Sequence, residues 1–213
     1  MSETQQPLLS ISVEEHPLSP FLPSNARILM LGSFPPPLKR WSMHFFYPNL
    51  QNDMWRIMGY LFHQDKNHFV DTQHKCFRKE DIVRFLTQRG IALFDAATSV
   101  RRLRQNASDK FLEVVRPTDI PRLLDLIPEC KAIVTTGQKA TDILLSQFDT
   151  LREPSIGHYE PFSYAGRSLR FYRMPSSSRA YPLSIEKKAA FYEKMLCEIG
   201  IGPDSGNTSS YSV

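Results

Sequence analysis

Residues 26–33, "ARILMLGS", make an almost unbroken apolar run that stops on a glycine and a serine. A strand with one wet face alternates apolar and polar residues, whereas one covered on both faces reads as this run does. Residues 90–97, "GIALFDAA", and 131–137, "KAIVTTG", share the pattern, and 168–175, "SLRFYRMP", supplies a fourth strand. Helical patterns separate them. In 48–62, "PNLQNDMWRIMGYLF", Leu50, Met54, Ile57, Met58 and Leu61 recur at helical spacing, with Asn49 as a candidate cap. "EDIVRFLTQRG" ends on Gly90 as a left-handed stop, and "TDIPRLLDLIP" is a shorter, proline-bounded helix. "GQKATDILLSQF" follows the third strand directly, and "LSIEKKAAFYEKMLCEIG" runs from a Ser184 cap to a Gly200 stop. "PFSYAGRSLRF" predicts a hairpin turning at Ala165-Gly166. The pattern predicts an α/β three-layer sandwich with a central, mainly parallel four-stranded sheet. Its fourth strand can carry an antiparallel partner from 161–164, and its site belongs at the carboxyl ends of the strands.

The length of 213 residues suits one domain with a real core. Three regions are expected: a flexible N-terminal arm over 1–24, a single α/β domain over 25–202, and a disordered tail over 203–213. The opening "MSETQQPLLSISVEEHPLSP" lacks the basic and apolar regions of a signal peptide, which reads as a cytoplasmic protein. No apolar run approaches the ~18 residues of a membrane span, so no membrane partner is expected. Cys76, Cys130 and Cys197 show neither zinc spacing nor a disulfide framework and read as reduced, buried thiols. The excess of 26 Lys and Arg over 22 Asp and Glu is compatible with nucleic acid and does not by itself establish it.

Four segments should converge at the strand ends. "GSFPPP" and an aromatic stretch, "RWSMHFFY", follow the first strand, and the second strand carries Asp95. "TTGQKAT" puts Gly137 at a strand–helix junction, where free amides favour an anion. It is not a phosphate-binding loop of the Gly-rich kind, because the spacing and second glycine are missing, and a plain glycine turn reads equally well. "PSSSRAYP" offers three hydroxyls and a guanidinium between stiffening prolines, in place of an ordinary solvated turn.

In this order the four segments resemble the uracil-DNA glycosylase superfamily. "LGSFPP" takes the place of the strand-end Gly-x-Asp/Asn-Pro turn, and "QNDMW" is similar to the Asn-x-Phe-Trp that opens the next helix in the mismatch-specific (G/U) branch. "TTGQKATDIL" resembles that branch's Gly-Lys-Gln-Ala, and "MPSSSRAYP" takes the place of the His/Asn-Pro-Ser loop that enters the minor groove. The likeness covers about residues 27 to 197 and is greatest to the hypoxanthine-DNA glycosylase-like branch, whose first motif is also Gly-Ser-Phe-Pro.

The resemblance implies a monofunctional DNA glycosylase acting as a monomer on double-stranded DNA that contains a damaged base. No cofactor and no metal are implied. Two departures stand out. Phe34 occupies the place of the motif-one acid or amide, and Met174 that of the His or Asn before Pro-Ser. The implied roles therefore move to neighbours. Asn52 is the candidate to orient water, with Asp53 one residue round the helix as the second catalytic candidate. Gly32, Ser33, Phe34, Phe46, Tyr47 and Asp95 form the expected base pocket, because aromatic faces stack on an extruded base. Trp55 is expected to pack the helix on the sheet. Amides of Ser176, Ser177 and Ser178 are the expected substitutes for the missing electrophile, and Arg179 is the candidate wedge. Gly137, Lys139, Arg101, Arg102, Arg104 and Lys110 are expected on the DNA backbone, where phosphate contacts supply most of the affinity. Two other readings use the same residues: a catalytically silent relative that binds DNA or a partner, and an unrelated α/β enzyme or nucleotide-binding protein using the Gly137 turn.

Overall fold

The computed structural model describes residues 12–103 and 109–203. Its strands are β1 (Val13–Glu15), β2 (Ile28–Gly32), β3 (Val70–Asp71), β4 (Cys76–Phe77), β5 (Ile91–Asp95), β6 (Ala97–Arg102), β7 (Leu112–Pro117), β8 (Ala132–Thr136), β9 (His158–Tyr164) and β10 (Arg167–Met174). Its helices are α1 (Met54–His63), α2 (Lys79–Arg89), α3 (Ile120–Leu126), α4 (Gln138–Leu145) and α5 (Ile185–Ile199).

The central sheet has the order β5-β2-β8-β10-β9. The first four strands run parallel, and β9 pairs antiparallel with β10. The four expected strands are therefore present, and their antiparallel partner is longer than 161–164. Every residue of β2, β5 and β8 is buried, which is why their sequences do not alternate. Helices flank the sheet, and α1 packs on α5. The chain leaves β2 for β5 on one side and then passes to β8 on the other, so the order reverses at β2. Gly32 pairs with Asp95 and Leu31 with Thr135, which brings these strand ends together at the switch point.

Local signals hold where neighbouring residues set them. Gly90 and Gly200 end α2 and α5 with φ of 66° and 76°, as the left-handed stop requires. The Ser184 side chain accepts the Lys187 amide, and the hairpin turns at Ala165 and Gly166 with φ of 48° and 75°, a type I′ geometry. Trp55 is buried in the core and donates to the Phe46 carbonyl at 3.1 Å. Helix α1 starts at Met54, later than expected. Asn49 Oδ1 accepts the Gln51 amide and Asn52 Oδ1 the Met54 amide, so two side-chain turns occupy the expected first turn.

Three expectations are corrected. A second sheet, β1-β6-β7, is antiparallel and covers residues read only as a charged run after β5. Residues 13–24, expected as part of the arm, are bonded to the domain instead. Val13 to Glu15 pair with β6, and Phe21 exchanges two backbone bonds with Leu93 of β5, at 3.0 and 2.9 Å. Both contacts cover strand edges that would otherwise lie open. All three cysteines are free, but only Cys130 is buried. Arg104 and most of the expected tail lie outside the described residues.

Candidate functional site

A cleft of about 590 Å³ opens at the carboxyl ends of β2, β5 and β8. Its floor is Gly32, Asp95, Tyr47 and Thr136. One wall is the Ser33–Pro36 turn, the opposite one is Asn52 with the loop Ser176–Ala180, and Arg40, Asp109 and Lys110 also line it.

The floor is built around a close approach. A Cβ on Gly32 would stand 2.3 Å from Asp95 Oδ1, so only glycine leaves room for that carboxylate beside β2. Asp95 is 7% exposed, and its Oδ2 lies 2.9 Å from His16 Nε2. The Tyr47 hydroxyl is 3.0 Å from Thr136 Oγ1, whose own proton goes to the Leu31 carbonyl at 3.2 Å. Tyr47 therefore donates to Thr136 and turns an oxygen lone pair to the cleft. Burial raises the Tyr47 pKa far above its usual value, and the Asp95 charge adds to this, so it stays a neutral phenol. Its backbone sits in the left-handed region at φ 49°, and its ring packs edge-on against Trp55 at 6.0 Å.

The far wall is rigid for a different reason. Asp53 is 2% exposed and Lys188 is fully buried; Lys188 Nζ lies 2.9 Å from Asp53 Oδ2 and 2.8 Å from the Ser178 carbonyl. The Asp53 amide donates to Ser177 O at 2.7 Å, and Arg179 Nε approaches Asp53 Oδ1 at 3.4 Å. One buried ion pair thus ties α1, α5 and the serine loop together. Asp53 is not among the residues lining the cleft, so the sequence candidate for a second catalytic group is a structural anchor here.

No protein-family model and no curated protein matches the chain. Among solved structures, it is similar to the solution NMR structure of a "putative uracil DNA glycosylase" from Methanosarcina acetivorans. The TM-score is 0.56 at 20% identity, over 86% of this chain and 99% of that one. The two share one fold.

Within that fold the structure brings together Gly32, Ser33, Phe34, Tyr47, Asn52, Asp95, Ser176, Ser177, Ser178 and Arg179, all of which line the cleft. Others fall elsewhere. Phe46 is 3% exposed, within the core, its ring 5.1 Å from that of Phe45, so it is not a stacking face for the cleft. Arg102, expected on phosphate, bonds both Glu14 carboxylate oxygens and the Pro35 carbonyl, each at 3.1 Å, and its side chain is 6% exposed. Alternation along β6 turns it inward. Arg101 is paired with Glu113 across β6 and β7 at 3.1 Å, away from the cleft. Gly137 is likewise outside the lining and adopts φ 133°, with room for a Cβ only 3.6 Å from that of Ser176. It shapes the turn beneath the serine loop. Lys139 is outside the lining too, with its charge felt at Asp109. The Ser178 amide is taken by Ser176 Oγ at 3.2 Å, so it is not available as an electrophile.

Arg40 and Thr136 line the cleft without being sequence candidates, and so does Asp109, while His16 was missed behind it. Asp109 lies at the cleft rim in a 3-10 turn, where its carboxylate bonds Ser33; burial of the carboxyl group pushes its pKa up, and the nearby Asp95 charge adds to this. His16 stands behind Asp95. A charged loop residue and a histidine in a proline-punctuated opening carry no local pattern that would mark them. Among the described residues, no group of three or more His, Cys, Asp or Glu is arranged for a metal ion. None of the described helices is long and apolar enough to cross a membrane.

Proposed function

We propose that the protein is a DNA glycosylase that draws a deaminated base out of a duplex into this cleft and hydrolyses its N-glycosidic bond. The observation that carries the reading is Asp95: an acid at the floor of a cleft at the switch point, with one carboxylate oxygen anchored and the other at Gly32. Hydrolysis breaks the C1′–N bond, its electron pair leaving with the base, and water oxygen bonds C1′. Asp95 Oδ1 would hold that water and accept its proton. The same negative charge favours the cationic sugar of the transition state. The acid stands on β5 and faces Gly32 on β2, next to the place where the related motif would carry it, which is how the chemistry can survive Phe34.

Asn52 lines the opposite wall. Its Oδ1 is engaged by the Met54 amide at 2.9 Å, which orients Nδ2 as the donor available to a base carbonyl or to the water. Phe34 and Tyr47 offer an aromatic face and an oxygen acceptor to the flat base. Arg40, Lys110 and Arg179 ring the opening with positive charge for phosphates. Arg179 is half-exposed and anchored to Asp53 and the Leu50 carbonyl, which suits a residue that enters the duplex as the base leaves. The enzyme would act as a monomer in the cytoplasm on double-stranded DNA containing uracil or hypoxanthine.

Incubation with duplexes carrying single uracil or hypoxanthine residues, followed by alkali, should cleave the damaged strand. Asp95→Asn should abolish cleavage while retaining duplex binding. Binding without cleavage by the parent protein would favour the silent relative, for which the losses at Phe34 and Met174 argue. Absence of salt-dependent duplex binding would overturn both.

A further inference from the structure

Asp95 is held from behind by a residue that the cleft itself does not touch. The His16 amide donates to Thr98 O at 2.8 Å, beside a strand pairing of Val13 with Arg101 and Glu15 with Ser99. Between those pairs, Glu14 forms its ion pair with Arg102. The backbone around His16 is therefore fixed to β6. The imidazole is 3% exposed and ringed by Phe34, Phe46 and Phe94, with centroids 5.4, 6.2 and 4.7 Å away. Its Nδ1 meets both the Leu18 amide at 3.2 Å and the Leu18 carbonyl at 2.9 Å, so that side is satisfied with or without a proton. A carboxylate can only accept, so towards it Nε2 donates in both cases.

We propose that His16 is the positioning residue of the site. Its Nε2–H holds Asp95 Oδ2 so that Oδ1 faces the water, and the N-terminal segment 13–18 is thereby part of the active site. This rests on the reading of Asp95 as the water-holding acid. A ring filling space between three phenylalanines needs no nitrogen. Here the nitrogen is what lets a carboxylate lie against that apolar cage, since a buried charge without a donor is strongly disfavoured. Among the described residues, the Tyr47 phenol and Asp109 also feel the Asp95 charge. Neither takes the place of Nε2 on Oδ2.

The test uses the full chain and a duplex with the base that the parent protein releases. His16→Phe keeps an aromatic ring in the cage and removes the donor, whereas His16→Gln returns a donor at nearly the Nε2 position. The expected result is a fall of tenfold or more in single-turnover base release for His16→Phe, with duplex affinity within about twofold of the parent. His16→Gln should recover to within about threefold of the parent rate. Melting temperatures are measured alongside; if the Phe ring does not pack, His16→Leu takes its place in the same comparison. Parent-rate release by His16→Phe, or an equal loss in His16→Gln when both variants fold, overturns the positioning role and leaves the glycosylase reading standing. A parent protein that releases no base from any duplex overturns that reading, and the role proposed here with it.

Discussion

Lys188 of α5 and Asp53 at the start of α1, 135 residues apart in sequence, meet in a buried ion pair of 2.9 Å. Lys188 also takes the Ser178 carbonyl, so the pair sets how far the serine loop stands from Asn52. Breaking a buried pair by removing one partner leaves the other charge without compensation, which is destabilising by about 3–5 kcal/mol. Lys188→Met should therefore lower the unfolding free energy by up to about that amount, read from urea denaturation, with Arg179 at 3.4 Å from Asp53 Oδ1 as the remaining cation. Asp53→Asn in the same background should restore most of it, because the carboxylate that lost its buried partner is gone. A loss below about 1 kcal/mol in Lys188→Met, within the range of exposed pairs, would show that the loop is held by other contacts.

Gly32→Ala introduces a methyl group 2.3 Å from Asp95 Oδ1. The carboxylate can yield only by turning off His16, while β2 itself is a regular strand that accepts alanine. The expected outcome is a melting temperature close to that of the parent protein with base release reduced tenfold or more, about 1.4 kcal/mol in barrier. Equal loss of folding and activity would point instead to a packing role for Gly32.

The Asp109 carboxyl, at the cleft, is shifted upward. Burial of the group is the main cause and the Asp95 charge adds to it, while the Ser33 bond and the charges of Lys139 and Arg102 oppose. The residue as a whole is exposed, but its carboxyl end is against the cleft wall, and the direction of the shift follows that end. A folded-state pKa raised above the unfolded value of about 4 means the native protein holds this proton more tightly. The contribution of Asp109 to stability is then full below pH 4 or so and is lost as pH rises through the folded pKa. Asp109→Asn should be more stable than the parent at pH 7, and the difference should vanish towards pH 3.5. It should also bind duplex DNA more tightly at pH 7, since one negative charge leaves the rim. Parallel stability-against-pH curves for the two proteins would sink the assignment.

Cys130 is 3% exposed, and burial raises its thiol to about 11. Iodoacetamide at pH 8 should modify exposed Cys197 first and half-buried Cys76 more slowly, leaving Cys130 untouched until the protein is unfolded. Peptide mass analysis of native and urea-treated samples reads the order directly. Early loss of Cys130 would mean that the edge between β8 and the preceding turn opens in the native state.

Much of the architecture is legible in the chain because it depends on neighbours. Apolar runs at 28–32, 91–95 and 132–136 belong to strands covered on both faces, and a glycine after α2 and α5 stops each helix. The Ser184 cap and the Ala165-Gly166 turn are set within four residues of themselves. Those strand ends also bring Gly32, Asp95 and the serine loop to one cleft, so the place of the site follows from the order of elements.

What the side chains do there is decided by partners far along the chain. His16 finds Asp95 across 79 residues, Arg102 finds Glu14 across 88, and Lys188 finds Asp53 across 135. No local periodicity distinguishes Arg102 in a buried pair from Arg102 on a phosphate, or Asp53 as an anchor from Asp53 as an acid. A buried charge must have a partner, but the sequence does not say which; only packing of β1 on β6 and α5 on α1 brings the partner within 3 Å or so of it. The sequence by itself determined a strand-and-helix order with a cleft at the strand ends. The tertiary structure decided which of its carboxylates is locked away with lysine and which is left, backed by a histidine, facing the cleft.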